Sequence, residues 1–280
     1  MGPRSRPLAA RPLVMGILNV TPDSFSDGGR FLDPDAAVAH GRRLAADGAD
    51  VLDVGGESTR PGAAAVPEAE ELRRVIPVIR RLARAVRVPL SIDTSKAAVA
   101  DAALAAGASI VNDVTALRGD PRMAAVAAGR RAMVILMHMR GTPGTMQRAP
   151  RYRNVVTEVG LFLRDAARRA HAAGIPRSRI LLDPGLGFGK LPAHNLQLLR
   201  GLPRLAALGY PLVVGPSRKS FIGRTLGVGM DDRLPGTLAC VAYACHAGVR
   251  MVRVHDVGPA AQVVRMLAAI EGADAARRER

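Results

Sequence analysis

The chain has 280 residues, 48% of them hydrophobic and 23% charged, with a formal net charge of +16. This composition suits one large globular domain, because (β/α) barrels of this size fold as single units. It excludes a membrane span, which needs about 20 consecutive apolar residues, and a disulfide scaffold, because there are only two cysteines.

Short β-branched segments alternate with Ala-rich amphipathic segments along the chain. The predicted strands are residues 13–19, 50–54, 88–93, 109–113, 132–138, 179–183, 211–215 and 249–255. Helical patterns lie between them, for example at 35–48, 67–85, 95–106, 152–173 and 232–247. Strands separated by helix-length segments predict parallel βαβ units. Eight such units predict an α/β fold, a single-domain (β/α)8 TIM barrel, with a doubly wound parallel sheet as the alternative.

The limits of the barrel domain are expected at residues 13 and 272. Residues 1–12 are charged but lack the apolar segment and cleavage site of a signal peptide, so we expect a flexible lead-in. Residues 273–280 are expected to form a charged tail. Cys240 and Cys245 are five positions apart on a predicted helix and point in different directions, so each is expected to act as a small buried hydrophobe. These features predict a cytoplasmic protein.

Polar residues stand at the predicted carboxyl end of nearly every strand, where the active site of a barrel lies. Any one of them alone is explained more simply as a helix cap or turn residue, and Asp113 and Ser95 fit that explanation. Their convergence on one rim favours a functional site. The strand-end residues are Asn19, Asp53, Asp93, Asn112, Asp113, His138, Asp183, Ser217, Arg218, Lys219, Arg253 and His255.

One group of these residues consists of hydrogen-bond acceptors. Asp93, Asn112 and Asp183 offer two carboxylates and an amide from three different strands. Such a group suits a flat ligand with an edge of N–H donors, because carboxylates bind a guanidine-like edge well. A catalytic acid–base pair and a divalent metal site are the alternatives for the two aspartates.

A second group is cationic. Arg253 and His255 lie two residues apart on the last predicted strand, so they project to the same side. Together with Lys219 they would attract an anion such as a phosphate or pyrophosphate. The rim is therefore expected to bind a donor-rich heterocycle and an anionic group at the same time.

Three loops rich in oxygen or glycine follow predicted strands. Residues 16–30 read GILNVTPDSFSDGGR, residues 55–62 read GGESTRPG and residues 183–190 read DPGLGFGK. The glycines are not spaced as in G-x-G-x-x-G and there is no Walker A motif, so the two glycine loops are weak as nucleotide-binding motifs. They are strong candidates for mobile site loops. Their functional side chains are Ser58, Thr59, Arg60 and Phe188.

The basic charge is spread over the chain. Arginine pairs such as Arg42–Arg43, Arg80–Arg81 and Arg168–Arg169 fall on polar faces of helical patterns. A nucleic-acid-binding barrel would need a contiguous basic stripe and aromatic residues for base stacking, but only 3% of the residues are aromatic. We therefore expect no nucleic-acid partner, whereas an anionic small substrate is compatible with the charge.

Taken together, the motifs resemble those of the dihydropteroate synthase family. The resemblance extends from about residue 13 to residue 270, and the motifs occur in the family's order. They are NVTPDSFSDGG (19–29), GGESTRPGA (55–63), SIDT (91–94), VND (111–113), LMHM (136–139), DPGLGFGK (183–190), SRKSFIG (217–223) and RVHDV (253–257). The resemblance implies a barrel and a transferase of folate biosynthesis. That family joins 6-hydroxymethyl-7,8-dihydropterin pyrophosphate to p-aminobenzoate, giving 7,8-dihydropteroate and pyrophosphate.

The resemblance also implies roles for individual residues. The pterin would be held by Asp93, Asn112, Asp183 and Lys219, between apolar walls formed by Met137 and Phe188. The pyrophosphate would be bound by Asn19, Arg253 and His255, with Asn19 also a ligand of a Mg²⁺ cofactor. The loop residues Phe25, Asp27, Thr59, Arg60 and Pro61 would close over the pyrophosphate and, beside Ser220, form the p-aminobenzoate pocket. The implied catalytic residues are Asp27, Asp93, Asp183, Lys219, Arg253 and His255.

The implied mechanism is a dissociative substitution, in which departure of the pyrophosphate leaves a cation at the pterin methylene. The closed loops would exclude water from this cation. The family further implies a homodimer through the last helices and competition by p-aminobenzoate analogues such as sulfonamides. Two relatives of the same fold are the alternatives, a pterin-dependent methyltransferase domain and a catalytically inactive member. The pyrophosphate-binding residues Asn19, Arg253 and His255 favour the synthase over the methyltransferase, and intact Lys219 and Arg253 argue against an inactive member.

Overall fold

The structure is a computed structural model that describes residues 11–21, 34–58 and 62–272. Its strands are β1 (Leu13–Asn19), β2 (Val51–Gly55), β3 (Leu90–Asp93), β4 (Ile110–Asp113), β5 (Met133–Met137), β6 (Ile180–Asp183), β7 (Val213–Val214) and β8 (Met251–Val254). Its α-helices are α1 (Pro34–Ala46), α2 (Glu68–Ala85), α3 (Ala97–Ala106), α4 (Met123–Gly129), α5 (Val155–Ala172), α6 (Pro192–Arg200), α7 (Leu202–Ala206), α8 (Ser220–Leu226), α9 (Leu234–His246) and α10 (Val257–Ile270). Short 3₁₀ helices occupy Arg177–Arg179 and Asp231–Arg233.

All eight strands are parallel and form one sheet in the order β6-β5-β4-β3-β2-β1-β8-β7. A parallel bridge between Leu182 and Leu212 joins the two edges, so the sheet closes into a barrel. Consecutive parallel strands require a crossover, and the helices supply it on the outside of the barrel. The predicted (β/α)8 architecture is confirmed, and the doubly wound sheet is excluded because the edge strands meet.

The inside of the barrel is an apolar layer topped by a polar one. Side chains alternate between the two faces of a strand, and one buried cluster has a member from seven of the strands: Met15, Val51, Ile110, Ile135, Leu181, Val213 and Met251. Two positions further along the same strands stand Ile17, Asp53, Asn112, Met137, Asp183, Gly215 and Arg253. The polar layer is therefore held on a packed apolar plug, at the carboxyl ends of the strands.

The other face of each strand packs against the helices. Val14, Leu52, Val111, Leu136 and Val252 belong to a large buried cluster that includes helical residues. This explains why the strands are almost continuously apolar in sequence, since both of their faces are covered. Local signals set the helix ends, as at α5, where the Asn154 side chain accepts a hydrogen bond of 3.0 Å from the backbone N–H of Thr157.

Six of the eight strands are shorter than the sequence patterns predicted. β7 contains only two residues where five were expected, and the remaining strands except β1 shift or lose one to three residues at their ends.

Arg11, inside the predicted lead-in, donates two hydrogen bonds of 2.7 Å to Asp50. Cys245 is buried, whereas Cys240 is only half-buried. No helix within the described ranges is long and apolar enough to cross a membrane.

Candidate active site

A pocket lies at the carboxyl ends of the strands, directly above the apolar plug. Its floor comes from the strand ends and its walls from the loops after β6 and β7. Because all eight strands of a barrel end at this rim, side chains that are far apart in sequence meet here. The lining residues are Asp93, Asn112, Val114, Met137, Asp183, Gly185, Leu186, Phe188, Gly215, Lys219 and Arg253.

The guanidinium group of Arg253 bridges two carboxylates on the pocket floor. Its Nε donates to Asp53 Oδ2 and its Nη2 to Asp93 Oδ2, both at 2.6 Å. Burial raises the pKa of Asp93 to about 7, against the opposing effect of Arg253 and together with the negative charge of Asp53. The arginine thus compensates two buried carboxylates, which without it would be strongly disfavoured.

Asp53 connects this ion pair to Asn112. The Asn112 amide donates to Asp53 Oδ2 at 3.0 Å, so one carboxylate oxygen accepts from both Asn112 and Arg253. The other oxygen, Oδ1, is buried and has no hydrogen-bond partner among the described residues. Asp53 therefore orients a donor from β4 and a donor from β8 towards the same point.

Asp183 is held by the glycine loop that follows it. Its Oδ1 accepts a hydrogen bond of 2.6 Å from the backbone N–H of Gly185. Gly185 has φ +67°, and a Cβ there would lie 2.0 Å from the carbonyl oxygen of His138, so only glycine fits. Burial raises the pKa of Asp183, while the Gly185 N–H and then Lys219 act in the opposite direction.

Lys219 and Phe188 form one wall of the pocket. The Lys219 Nζ lies 4.1 Å from the centre of the Phe188 ring, within range of a cation–π interaction. Burial, and secondarily the charge of Arg253, lower the pKa of Lys219 to about 8. The ammonium group is therefore still protonated at neutral pH, beside an aromatic surface on which a flat ligand can stack.

His255 lies one residue beyond the end of β8 and pairs with Ser217. The Ser217 hydroxyl accepts from the His255 backbone N–H at 3.1 Å and lies 2.9 Å from its Nδ1. Burial, and secondarily Arg253 and Arg218, lower the pKa of His255 to about 4. The imidazole is neutral near pH 7, so it can donate a hydrogen bond to an anion but does not add the positive charge expected from the sequence.

Comparisons with known proteins point to one family. The family described as pterin binding enzyme matches residues 15–255. The dihydropteroate synthase of Escherichia coli K12 is 47% identical over 260 residues, covering 93% of this chain and 92% of the relative. The Xanthomonas albilineans dihydropteroate synthase structure with 4-aminobenzoic acid is 51% identical with a TM-score of 0.88, covering 94% of both chains. The structure of the X. albilineans enzyme in complex with 7,8-dihydropteroate is 48% identical, with a TM-score of 0.85 and coverage of 94% and 95%.

The chain belongs to the dihydropteroate synthase family. It is accordingly a transferase of folate biosynthesis, as the sequence motifs predicted. The fold, the family and the enzyme class predicted from the dihydropteroate synthase motifs are thus confirmed.

The structure brings all six predicted pterin residues into one pocket, together with Arg253, which was predicted to bind the pyrophosphate. The six are Asp93, Asn112, Met137, Asp183, Phe188 and Lys219. Asn19 ends β1 and is half-buried, and Ser220 is the exposed first residue of α8. Phe25, Asp27, Thr59, Arg60 and Pro61 lie outside the described residues. Asp113 behaves as the turn residue that its sequence suggested, since its carboxylate accepts from the backbone N–H groups of Thr115 and Leu117.

Three polar residues were given no specific role from the sequence and now acquire one. Asp53 organises Arg253 and Asn112, Ser217 orients His255, and Lys190 is a buried lysine behind the glycine loop. For Asp53 the signal was present, because it stands two residues after the inward-facing Val51. For Lys190 it was weak, since the sequence gives no sign that the loop folds back over its own lysine.

Proposed function

We propose that the chain condenses 6-hydroxymethyl-7,8-dihydropterin pyrophosphate with p-aminobenzoate to form 7,8-dihydropteroate and pyrophosphate. The observation that carries the proposal is the pocket floor, where Asp93, Asn112 and Asp183 meet between Phe188 and Met137. Two buried carboxylates beside an aromatic wall suit a flat, nitrogen-rich bicycle. The relatives support the same chemistry, since one is solved with 4-aminobenzoic acid and one with 7,8-dihydropteroate.

The carboxylates give the pocket its selectivity for a donor edge. An ionised carboxylate accepts hydrogen bonds only, so Asp183 and Asp93 favour the amino and ring N–H groups of a pterin. Lys219 supplies the complementary donor for a ring carbonyl or nitrogen, since its Nζ lies at the pocket wall, 4.1 Å from the centre of the Phe188 ring. A ligand that lacks the donor edge would displace water from the remaining carboxylate oxygens without replacing its hydrogen bonds, at a cost of about 1–3 kcal/mol for each group.

The reaction itself requires the pyrophosphate to leave. The C–O bond from the pterin methylene to the pyrophosphate breaks, the aniline nitrogen of p-aminobenzoate forms the new C–N bond, and the aniline proton is released to solvent. Arg253 Nη1 and the neutral His255 are the candidate donors to the departing oxygens. No nucleophilic side chain is needed, because the aniline nitrogen is already a competent nucleophile at neutral pH.

We propose Mg²⁺ as the cofactor, with Asn19 as its protein ligand. Within the described residues no three His, Cys, Asp or Glu side chains are grouped to hold an ion by themselves. Mg²⁺ keeps several waters and commonly takes one or two protein oxygens plus substrate phosphate oxygens. The amide oxygen of Asn19 at the end of β1 fits that requirement. When bound, the ion would offset charge on the diphosphate.

The second substrate is proposed to bind above the pterin. Ser220, exposed at the start of α8, would form this subsite together with Phe25, Thr59, Arg60 and Pro61.

We further propose that Asp27 belongs to the same closing loops, that the protein is a homodimer, and that it acts in the cytoplasm. The two free cysteines are consistent with a reducing compartment.

The proposed function is tested by measuring pyrophosphate release with both substrates, with and without Mg²⁺. We expect release that depends on p-aminobenzoate, equals the dihydropteroate formed, and falls when Mg²⁺ is chelated. Asp183→Asn is the control variant, because an amide oxygen can still accept from Gly185 while the charge is lost. It should bind the pterin substrate at least about tenfold more weakly. Turnover without p-aminobenzoate, or none with both substrates, would refute the proposal.

A further inference from the structure

Lys190 lies almost completely buried behind the pterin pocket, with 3% of its surface exposed. Its Nζ has four polar neighbours: Gly185 O at 2.8 Å, Phe188 O at 2.9 Å, His138 Nδ1 at 2.9 Å and His138 O at 3.3 Å. Burial lowers the pKa of Lys190 to about 7, opposed by the charge of Asp183, and the protonated form has three N–H donors. They match the two loop carbonyls and His138, without a carboxylate in direct contact.

His138 presents an acceptor to this lysine for a structural reason. It follows Met137 at the end of β5, and strand alternation turns it away from the pocket, where its ring packs edge-on against Phe162 at 4.8 Å. Burial, and secondarily the charge of Lys190, lower the pKa of His138 to about 2, so the ring is neutral. Its Nδ1 is then free to accept from Lys190, with the ring proton on Nε2.

The loop carbonyls that Lys190 holds belong to residues of the pterin pocket. The Gly185 carbonyl accepts from Lys190, and the backbone N–H of the same residue orients the Asp183 carboxylate at 2.6 Å. The Phe188 carbonyl also accepts from Lys190, while the Phe188 ring lies against Lys219. The Lys190 amino group therefore contacts the backbone of both an acidic and an aromatic element of the pocket.

We propose that Lys190 is a positioning residue that sets the pterin affinity, by fixing the loop 184–190 in the conformation that orients Asp183 and Phe188. The proposal rests on the proposed function, because the pterin is the ligand whose binding it controls. Glycines at 185, 187 and 189 all have positive φ and leave the loop intrinsically permissive. The lysine adds a buried restraint on such a backbone, beside those from Tyr152 and Asn195, and it need not touch the substrate.

The test compares Lys190→Met with the wild-type enzyme, using pterin pyrophosphate as the probe in calorimetric binding and in steady-state kinetics. We expect Kd and KM for the pterin substrate to rise at least tenfold, with KM for p-aminobenzoate at saturating pterin within threefold. A purely structural role would lower the active fraction, and hence kcat, without moving the pterin KM. Hydrogen exchange should increase in the peptide that contains residues 184–190.

Lys190→Arg and Arg179→Met complete the experiment. The arginine keeps N–H donors and should recover part of the lost pterin affinity. Arg179 is a half-buried cation that donates to the Arg131 carbonyl at 2.7 Å at the amino end of β6, whereas the loop 184–190 follows the carboxyl end, so Arg179→Met should leave the pterin Kd within twofold. If Lys190→Met is insoluble, Lys190→Gln is measured instead, and because its amide keeps two N–H donors the pterin Kd is expected to rise by less, at least about threefold.

Two results would overturn the positioning role. One is a folded Lys190→Met, or its glutamine substitute, with an unchanged pterin Kd. The other is equal loss of affinity in the methionine and arginine variants. A wild-type protein that neither binds nor turns over the pterin substrate would instead refute the proposed function, so the two failures are distinguishable.

Discussion

Two opposing influences set the pKa of the Asp93 carboxyl group. Burial disfavours its charged form, and Arg253 at 2.6 Å favours it, with the result that its pKa lies at about 7. A carboxylate with this pKa changes charge within the range where enzymes are assayed. The residue is therefore a direct probe of whether an ionised acceptor is needed at the pocket floor.

We predict that kcat/KM for the pterin substrate rises with pH between about 5.5 and 7.5, by roughly tenfold per unit at the acidic end. The sign follows from the raised pKa: below about 7 Asp93 holds a proton and loses its ion pair, and above it the carboxylate can accept the donor edge. Asp93→Asn should lower kcat/KM and flatten this limb. A wild-type profile that is level over the same range would contradict the assignment.

The pairing of Arg253 shows what residue-level reasoning could and could not supply. The sequence placed Asp93, Asn112, Asp183 and Arg253 at strand ends, and strand alternation explains why they share the interior. It did not reveal that Arg253 spans Asp53 and Asp93, because which side chains meet depends on the strand order and register across the closed barrel. The lowered pKa of His255 could not be predicted from the sequence for the same reason, since it comes from burial and from neighbouring arginines.

At the level of elements, the existence of the strands was easier to predict than their ends. Parallel strands covered on both faces produce apolar segments that stand out from the Ala-rich helices. The ends differ because flanking residues such as Leu212 continue the apolar segment but are not part of β7. Loop structure was least predictable. The loop 184–190 is fixed by long-range contacts, including the Tyr152 hydroxyl to Gly189 O at 2.8 Å.

We predict that alanine substitution has different costs in unfolding free energy at two glycines with similar backbone conformations. Gly185 and Gly227 have φ of +67° and +70°, but a Cβ at Gly185 would lie 2.0 Å from His138 O, whereas at Gly227 nothing lies within 4 Å. Gly227→Ala should cost only about 1–2 kcal/mol of unfolding free energy, the penalty of a left-handed conformation. Gly185→Ala should cost roughly 1–3 kcal/mol more, because the backbone must shift.

Urea unfolding followed by circular dichroism measures both costs, and pterin binding adds a functional readout. Gly227→Ala, at the carboxyl end of α8, is the matched control and should keep the pterin Kd within threefold. Gly185→Ala should weaken pterin binding in addition to its stability cost. Equal destabilisation of the two variants would show that the close approach to His138 has no energetic weight.

At the scale of the whole molecule, one side of the barrel carries most of the exposed apolar residues. Of the eight large hydrophobic side chains that are exposed among the described residues, five belong to α8–α10 or the turn after α8. They are Leu226, Met230, Tyr243, Met266 and Ile270, which we call the α8–α10 face. The helices α9 and α10 pack directly against each other, so part of this surface is continuous. Grouped exposed apolar side chains mark association surfaces.

We predict that the protein is a homodimer and that the α8–α10 face forms its interface. A second copy of the same chain is the expected partner because most closed oligomers are symmetric pairs that bury the same patch on both subunits. Light scattering at micromolar concentration should give twice the monomer mass. Placing a charge in the centre of an apolar interface is costly, so Tyr243→Glu and Met266→Glu should each raise the dimer dissociation constant at least about tenfold.

Leu161 provides the matched control for these substitutions. It is exposed to 50%, close to the 47% of Tyr243, but it lies on α5 outside the α8–α10 face. Leu161→Glu should therefore leave the dimer intact, and all three variants should retain the wild-type melting behaviour of the monomer fold. Since the described lining of the pterin pocket comes from strand ends and loops of the same chain, dissociation should leave pterin affinity within threefold. A monomeric wild type, or a Leu161→Glu variant that dissociates as readily as Tyr243→Glu, would show that this face is not the interface.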